Sequence, residues 1–437
     1  MQNKVQPKIL PGFMELLPED QILFNKMYDT IRGVYEKFGF LPLDTPLIEL
    51  SEVLLAKAGG ETEKQIYRFN KGDNDLSLRF DLTVPLARYV AQRYSDLVFP
   101  FKRYQMSKVF RGERPQKGRF REFYQCDIDI IGNEELDLIY DAEMPAVIYT
   151  IFKELNIGEF IIRINNRKVL NGFFGALGLS EKAADILRII DKIDKIGKEA
   201  VAEELEKLEV SADKIEKILE FVQIKGTNEQ IIESLRNNGV SDEKYLEGVN
   251  ELETVSQYMK QFGIDEGSYT IDLTIARGLD YYTGTVYETN LKDYPQLGSI
   301  CSGGRYDNLT GYYTNQNLPG IGISIGLTRL FSQLKEQNII SSEQKSLVKV
   351  LVVPFDRQNM DYVLSVAKKF RDADIVTDVY YLNKGIKQKM KYANRLNIPY
   401  VAVIGEDEIK NNVIALKDMA AGTQEIISVE EAIEKLK

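Results

Sequence analysis

Residues 110–131 read FRGERPQKGRFREFYQCDIDII, and this stretch decides the fold. Its second half alternates: Phe120, Tyr124, Ile128 and Ile130 fall out of phase with Arg121, Gln125, Asp127 and Asp129. Period two of this kind marks a half-buried antiparallel strand, one face in a core and the other carrying polar groups in a row. The segment Gly112-Glu113-Arg114-Pro115-Gln116-Lys117-Gly118 places glycines and a proline where a hairpin must reverse. The same period reaches back to residue 76. In 78–83, Leu78, Phe80 and Leu82 take one face and Arg79, Asp81 and Thr83 the other, which predicts a strand there.

Upstream, 18–38 reads as an amphipathic helix. Pro18 suits its first turn, Glu19 and Asp20 its positive end, and Gly39 its close. Pro42 and Pro46 follow in an extended segment, which proline confines to a sheet edge or an interface. Downstream, 166–262 turns charge-rich and helical, an insertion by its pattern. Strand patterns return at 269–276 and 283–289, and glycine is dense from 298 to 326. Residues 337–346 read as a linker. Beyond it VKVLVVPF, a helix near 357–371, IVTDVYY, a helix near 385–396 and YVAVIG alternate as in a small α/β domain with a parallel sheet. The expected organisation is an α+β domain on a mostly antiparallel sheet over 1–336, the linker 337–346, and an α/β domain over 347–437.

The 437 residues contain no histidine, which excludes a Ser-His-Asp triad, an H-E-x-x-H zinc site and an imidazole base. Cys126 and Cys301 form neither a disulfide framework nor a C-x-x-C site, and reduced thiols in cytosol are expected. The start, MQNKVQPKILPGF, lacks a secretory apolar stretch, and no apolar run is long enough to span a bilayer. Cytoplasmic location away from membranes is the expectation. The net charge of −10 repels nucleic acid overall, so a polyanionic partner needs local basic zones. Two exist: Lys102, Arg103, Lys108, Arg111, Arg114, Lys117, Arg119 and Arg121 against Glu113 alone, and Lys384, Lys387, Lys389, Lys391 and Arg395 without an acid.

Three segments suggest chemistry. Arg111, at a strand end beside a basic loop, offers a planar fork for phosphate oxygens, although a surface hairpin with ordinary salt bridges fits the same residues. Ala276-Arg277-Gly278-Leu279-Asp280-Tyr281-Tyr282-Thr283-Gly284 sets two tyrosines beside an arginine and an aspartate, as core aromatics or as a pocket wall. Gly320-Ile321-Gly322-Ile323-Ser324-Ile325-Gly326-Leu327-Thr328-Arg329-Leu330 leaves one strand face nearly bare, which a flat ring could approach. Its glycine spacing is neither a Walker loop nor a dinucleotide fingerprint.

In this order the segments resemble the three motifs of class II aminoacyl-tRNA synthetases: Gly39 to Pro46, Arg111-x-Glu113 with its hairpin, and Gly322 to Arg329. Arg277 to Gly284, Arg111 to Gln116, Gln125 to Asp129 and Gly303-Gly304-Arg305-Tyr306-Asp307 resemble histidyl-tRNA synthetases in particular. The resemblance covers nearly the whole chain. It implies a class II catalytic domain with a helical insertion, followed by an anticodon-binding domain.

What the resemblance implies is two-step ligation of L-histidine to tRNA(His) through an ATP-derived adenylate, with Mg2+ carried on the phosphates, in a homodimer. It assigns the substrate amino group to Asp81, Leu82 and Thr83 with Gln125, and the imidazole to Asp129 and Tyr282, with Tyr281 lining the same pocket. Arg111 and Arg277 grip the α-phosphate and the carboxylate and act in catalysis. Arg111, Glu113 and Arg329 hold ATP, and Arg114 and Gln116 meet the tRNA acceptor end. One departure stands out: Thr328 occupies the position where the family usually has glutamate. The alternative is a non-catalytic relative that serves as a regulatory subunit of ATP phosphoribosyltransferase. Such relatives lack a C-terminal domain and erode the catalytic arginines.

Overall fold

The computed structural model describes every residue except 1–3, 57–60, 115–117, 276–281, 308–309 and 357–359, and omits the side chains of 61, 62, 194 and 195. The chain packs as two units, 1–14 with 28–340 and 15–27 with 341–437.

The helix α1 (Pro18–Lys37) belongs to the smaller unit up to Met27 and to the larger unit from Tyr28, and it runs into β1 (Leu41–Pro42) of the larger unit. β2 (Ile48–Leu50), α2 (Ser51–Leu55), α3 (Glu61–Gln65), β3 (Arg68–Lys71) and β4 (Asn74–Leu78) follow, with the three strands in a small sheet of order β2-β4-β3. α4 (Thr83–Arg93) precedes the long hairpin β5 (Phe101–Phe110) and β6 (Glu122–Ile131). α5 (Ile139–Leu155) and β7 (Phe160–Asn166) lead to six helices: α6 (Arg167–Ala176), α7 (Ala183–Ile190), α8 (Ile193–Lys207), α9 (Ala212–Val222), α10 (Asn228–Arg236) and α11 (Glu243–Gln261). The chain then returns through β8 (Tyr269–Ile271), β9 (Thr285–Leu291), β10 (Cys301–Tyr306) and β11 (Gly320–Ile325) to α12 (Leu327–Glu336).

These strands build one eight-stranded sheet of order β1-β5-β6-β11-β10-β9-β7-β8. It is antiparallel except at its ends, where β1 runs parallel to β5 and β8 parallel to β7. β1 lies at the edge, where Pro42 needs no ladder donor. The alternation in β6 holds: Cys126, Ile128 and Ile130 are fully buried on one face. Each such isoleucine contributes about 2 kcal/mol by leaving water. α5 lies against β7, β10 and β11 and buries Val147, Ile148, Ile151 and Phe152. The buried Arg305 on β10 pairs with the fully buried Asp141 of α5, its Nε 3.1 Å from Oδ1, which ties helix to sheet.

One expectation fails. Residues 78–83 are not a continuous strand: β4 ends at Leu78 and α4 begins at Thr83. The reason is capping chemistry. Asp81 Oδ1 accepts from the N–H groups of Thr83 at 3.2 Å and Val84 at 2.9 Å, which satisfies donors of the first helical turn. Arg79, read as part of a polar face, is fully buried. Its guanidinium donates to the Lys108 carbonyl at 2.8 Å, to the Thr45 carbonyl at 2.6 Å and to Ser107.

In the smaller unit, β12 (Val350–Pro354), α13 (Met360–Asp372), β13 (Thr377–Val379), α14 (Ile386–Arg395) and β14 (Tyr400–Ile404) alternate as the sequence predicts. α15 (Glu406–Lys410), β15 (Ile414–Asp418), β16 (Gln424–Ile427) and α16 (Val429–Leu436) complete it. The sheet order is β13-β12-β14-β15-β16. Only β13, β12 and β14 are parallel, so the all-parallel expectation is corrected by an antiparallel hairpin, β15–β16. Asp418 turns that hairpin by accepting from the N–H groups of Ala420 and Ala421, both at 2.9 Å.

Candidate active site

A cavity of about 600 Å³ opens on the polar face of β6. Phe123, Gln125, Asp127 and Asp129 line it at every second position, as the alternation demands. Register supplies the neighbours. Asp127 stands opposite Gln105 on β5 and Ser324 on β11, and that row continues to Ser302 on β10 and Glu288 on β9. Asp129 stands opposite Arg103 and Gly322.

The floor is ionic. Arg103 is fully buried, and its Nη2 lies 2.6 Å from Asp129 Oδ2. None of its N–H groups is aligned on an acceptor among the described residues, so the contact is a charge pair without hydrogen-bond alignment. Tyr306 donates its hydroxyl to Asp129 Oδ1 at 2.7 Å. Burial pushes the Asp127 carboxyl up to about 7 and the Asp129 carboxyl up to about 6, against the pull of Arg103 on both. The neighbouring Asp81 raises both further.

The glycines of β11 leave less open space than the bare-face expectation supposes, although Gly322 and Ser324 do line the cavity. A Cβ on Gly322 would sit 2.2 Å from Asp129 Oδ1, and one on Gly320 would sit 2.3 Å from the Tyr306 ring. The space is taken by the chain's own aspartate and tyrosine.

At the mouth, the Arg111 guanidinium lies 4.4 Å from the Phe80 ring centre and 5.1 Å from that of Phe123. Two aromatic faces fix the plane of the cation, and its Nε donates to the Phe80 carbonyl at 3.3 Å. Glu113 is held by Arg119 at 3.1 Å. Arg329, exposed at another rim, donates to the Leu297 carbonyl at 3.0 Å. Asp81, Thr83, Arg111, Glu113, Gln125, Asp129, Tyr282 and Arg329 thus line one cavity. Leu82 is fully buried and is not a lining residue, and Arg114 is exposed outside the cavity. Gln116, Arg277 and Tyr281 lie outside the described residues.

Thr328 is buried, and its hydroxyl accepts the Tyr124 N–H at 2.9 Å. The ladder between β6 and β11 ends at Cys126 and Ile325, and Thr328 supplies the next acceptor along β6. It is not a lining residue of the cavity.

Sequence reading missed Arg103, Tyr306, Phe80, Phe123 and Glu288 as parts of this site. Tyr306 lies within Gly303–Asp307, a segment to which the resemblance assigns no role. Arg103 falls in a basic run of the sequence, which the structure disperses. Lys102 pairs with Glu143 at 2.6 Å, Lys108 with Glu122 at 2.7 Å, and Arg103 is internal. In the second run Lys389 is buried on the Pro354 carbonyl, whereas Lys384, Lys387, Lys391 and Arg395 are exposed.

The chain matches the family model described as histidyl-tRNA synthetase over residues 12–330 and that of an anticodon binding domain over 349–437. A histidine–tRNA ligase of Clostridium tetani is 61% identical over 434 residues, 99% of this chain and 98% of that protein. One from Finegoldia magna is 47% identical over 99% of this chain and its own full length. The crystal structure of a histidyl-tRNA synthetase from a Nostoc species superposes with a TM-score of 0.92 at 42% identity, covering 99% of each chain. With the cavity and its cations and carboxylates assembled on such a sheet, the chain belongs to the histidyl-tRNA synthetase family.

Proposed function

We infer that this chain is a ligase that joins L-histidine to tRNA(His). In the first step a carboxylate oxygen of histidine attacks the α-phosphorus of ATP, and pyrophosphate leaves. In the second, the 3′-terminal hydroxyl of the tRNA attacks the carbonyl carbon of the adenylate, and AMP leaves. Both steps run through anionic transition states, which need fixed cations and orientation rather than an imidazole base. The observation that carries this reading is the single cavity shared by Asp81, Thr83, Gln125, Asp129, Tyr282, Arg111 and Arg329.

The roles follow the chemistry of each group. Asp129, oriented by Tyr306 and Arg103, accepts from the imidazole N–H, with Tyr282 as the hydroxyl partner and Tyr281 lining the pocket. Asp81, the Leu82–Thr83 main chain and Gln125 receive the amino group. Arg111, clamped between Phe80 and Phe123, binds the carboxylate and the α-phosphate, and Arg277 stabilises the charge that develops at phosphorus. Glu113 and Arg329 attend ATP, which enters with Mg2+ on its phosphates. Arg114 and Gln116 meet the tRNA acceptor end.

The reading divides the chain into a catalytic domain over 1–336 with a helical insertion at 166–262, a linker over 337–346, and an anticodon-binding domain over 347–437. It includes a cytoplasmic homodimer. Leu41 at the β1 edge and Leu47, Ile48 and Leu50 beside it are exposed, which supports an apolar contact with a second copy. Among the described residues no helix is long and apolar enough to cross a membrane.

Amino-acid-dependent ATP–pyrophosphate exchange, run with each of the twenty amino acids, tests the first step. Exchange with histidine alone is expected. Histidine binding by the folded chain without exchange would favour the regulatory-subunit alternative instead.

A further inference from the structure

We propose that Asp127 is a further substrate-binding residue, its Oδ1 accepting a hydrogen bond from the ammonium group of the amino-acid substrate. The inference rests on histidine being that substrate.

The geometry begins with an unpaired acceptor. Asp127 is 3% exposed and lines the cavity, yet its Oδ1 has no hydrogen-bond partner among the described residues. A buried carboxylate oxygen left without a donor is costly. The chain's own donors nearby do not reach this oxygen. Ser324, opposite on β11, bonds the Asp127 carboxylate and itself accepts from Gln125 Nε2 at 2.9 Å. Gln105, opposite on β5, turns its Nε2 away to Asp44 Oδ1 at 2.8 Å. Arg103 is ion-paired with Asp129, and none of its N–H groups is aligned on Asp127 Oδ1.

Gln125 Oε1, two positions earlier on the same face, also lacks a partner among the described residues. Positions i and i+2 of a strand are about 7 Å apart and project alike. An ammonium between them has three donors for two unsatisfied acceptors. Asp81, the carboxylate assigned to the amino group by resemblance, spends its Oδ1 on the first turn of α4. Charge points the same way. Arg103 acts on Asp127 and Asp129, and Asp81 adds a third carboxylate beside them, so the cavity floor favours a cation.

The test uses the full chain, L-histidine, and its deamino analogue 3-(imidazol-4-yl)propionate. Asp127→Asn is expected to weaken L-histidine binding roughly ten- to hundred-fold, as loss of a charged hydrogen bond does. The KM for ATP should hold, and affinity for the analogue should change less than about twofold, because it has no ammonium to lose. Equal losses for both ligands, or unchanged histidine binding, overturn the proposal. A second measurement keeps the ligand the same. Calorimetry of L-histidine binding at pH 7 in two buffers of different ionisation enthalpy should show more proton release from the wild-type chain than from Asp127→Asn. An ammonium against Asp127 holds that carboxylate ionised, and equal release contradicts this. Wild-type exchange keeps the two questions apart: none with histidine means that the functional reading fails, whereas exchange with unaltered Asp127→Asn behaviour means that only this inference fails.

Discussion

Tyr306 on β10 reaches Asp129 on β6 across the strand between them, its hydroxyl 2.7 Å from Oδ1. The bond passes over β11 at Gly320 and Gly322, where side chains would block it. With Arg103 on the other oxygen, the carboxylate that we assign to the imidazole is fixed from both sides.

Tyr306→Phe removes the donor and leaves the ring. Hydrogen bonds to charged groups contribute about 1.5–3 kcal/mol, so the KM for histidine is expected to rise roughly tenfold or more. The KM for ATP should stay within about twofold. Steady-state exchange kinetics with each substrate varied give both numbers, and parallel rises in the two KM values would count against a local role.

Gly322→Ala puts a methyl group into the Asp129 carboxylate. Its cost is steric rather than conformational, because Gly322 is not among the positive-φ glycines. Overpacking of this kind costs about 1–3 kcal/mol, and histidine-dependent exchange should fall with it. Gly33→Ala on α1 is the control: nothing lies within 4 Å of its Cβ position, and a gain of roughly 0.5–1 kcal/mol is expected in denaturant melts.

Thr328→Val keeps shape and removes the acceptor of the Tyr124 N–H. Leaving the half-buried Tyr124 N–H without this acceptor costs up to about 1–3 kcal/mol, so thermal stability should drop. Substrate KM values should hold, because Thr328 does not line the cavity. A large change in the KM for ATP with unchanged stability would show that this position acts in the site.

Asp127 carries a pH signature. Burial raises its carboxyl from 3.8 to about 7 in the folded chain, so the folded state holds more protons than the unfolded one between these values. Stability therefore falls as pH rises through that window, and the penalty is complete above it. Asp127→Asn is expected to melt above the wild type at pH 8, with the gap closing as pH falls from 7 towards 4. Melting curves over pH 4–8 check this, and a gap independent of pH would mean that the carboxylate is not held protonated.

The parts of the fold legible in the sequence are those where one rule acts alone. β6 alternates because one face meets a core and the other a cavity. β12 is a continuous apolar run because both of its faces are covered, all five residues being buried. Residues 78–83 misled because Leu78, Phe80 and Leu82 also satisfy period two, whereas Asp81 with Pro85 beyond it marks a helix start. The lining residues carried by the hairpin could be read, since alternation sends Gln125, Asp127 and Asp129 to one side. Arg103 could not. A cation in a basic run looks solvated until the sheet register sets it opposite Asp129. Tyr306 was equally hidden, since its bond depends on two glycines of another strand.

The most direct test of the central claim is aminoacylation by the full chain, given ATP with Mg2+, labelled amino acid and tRNA carrying the histidine anticodon. The expected result is label esterified to the tRNA 3′ end with histidine alone, released by mild alkali and dependent on ATP. A folded chain that binds histidine yet leaves the tRNA uncharged, or that charges it with another amino acid, would contradict the claim.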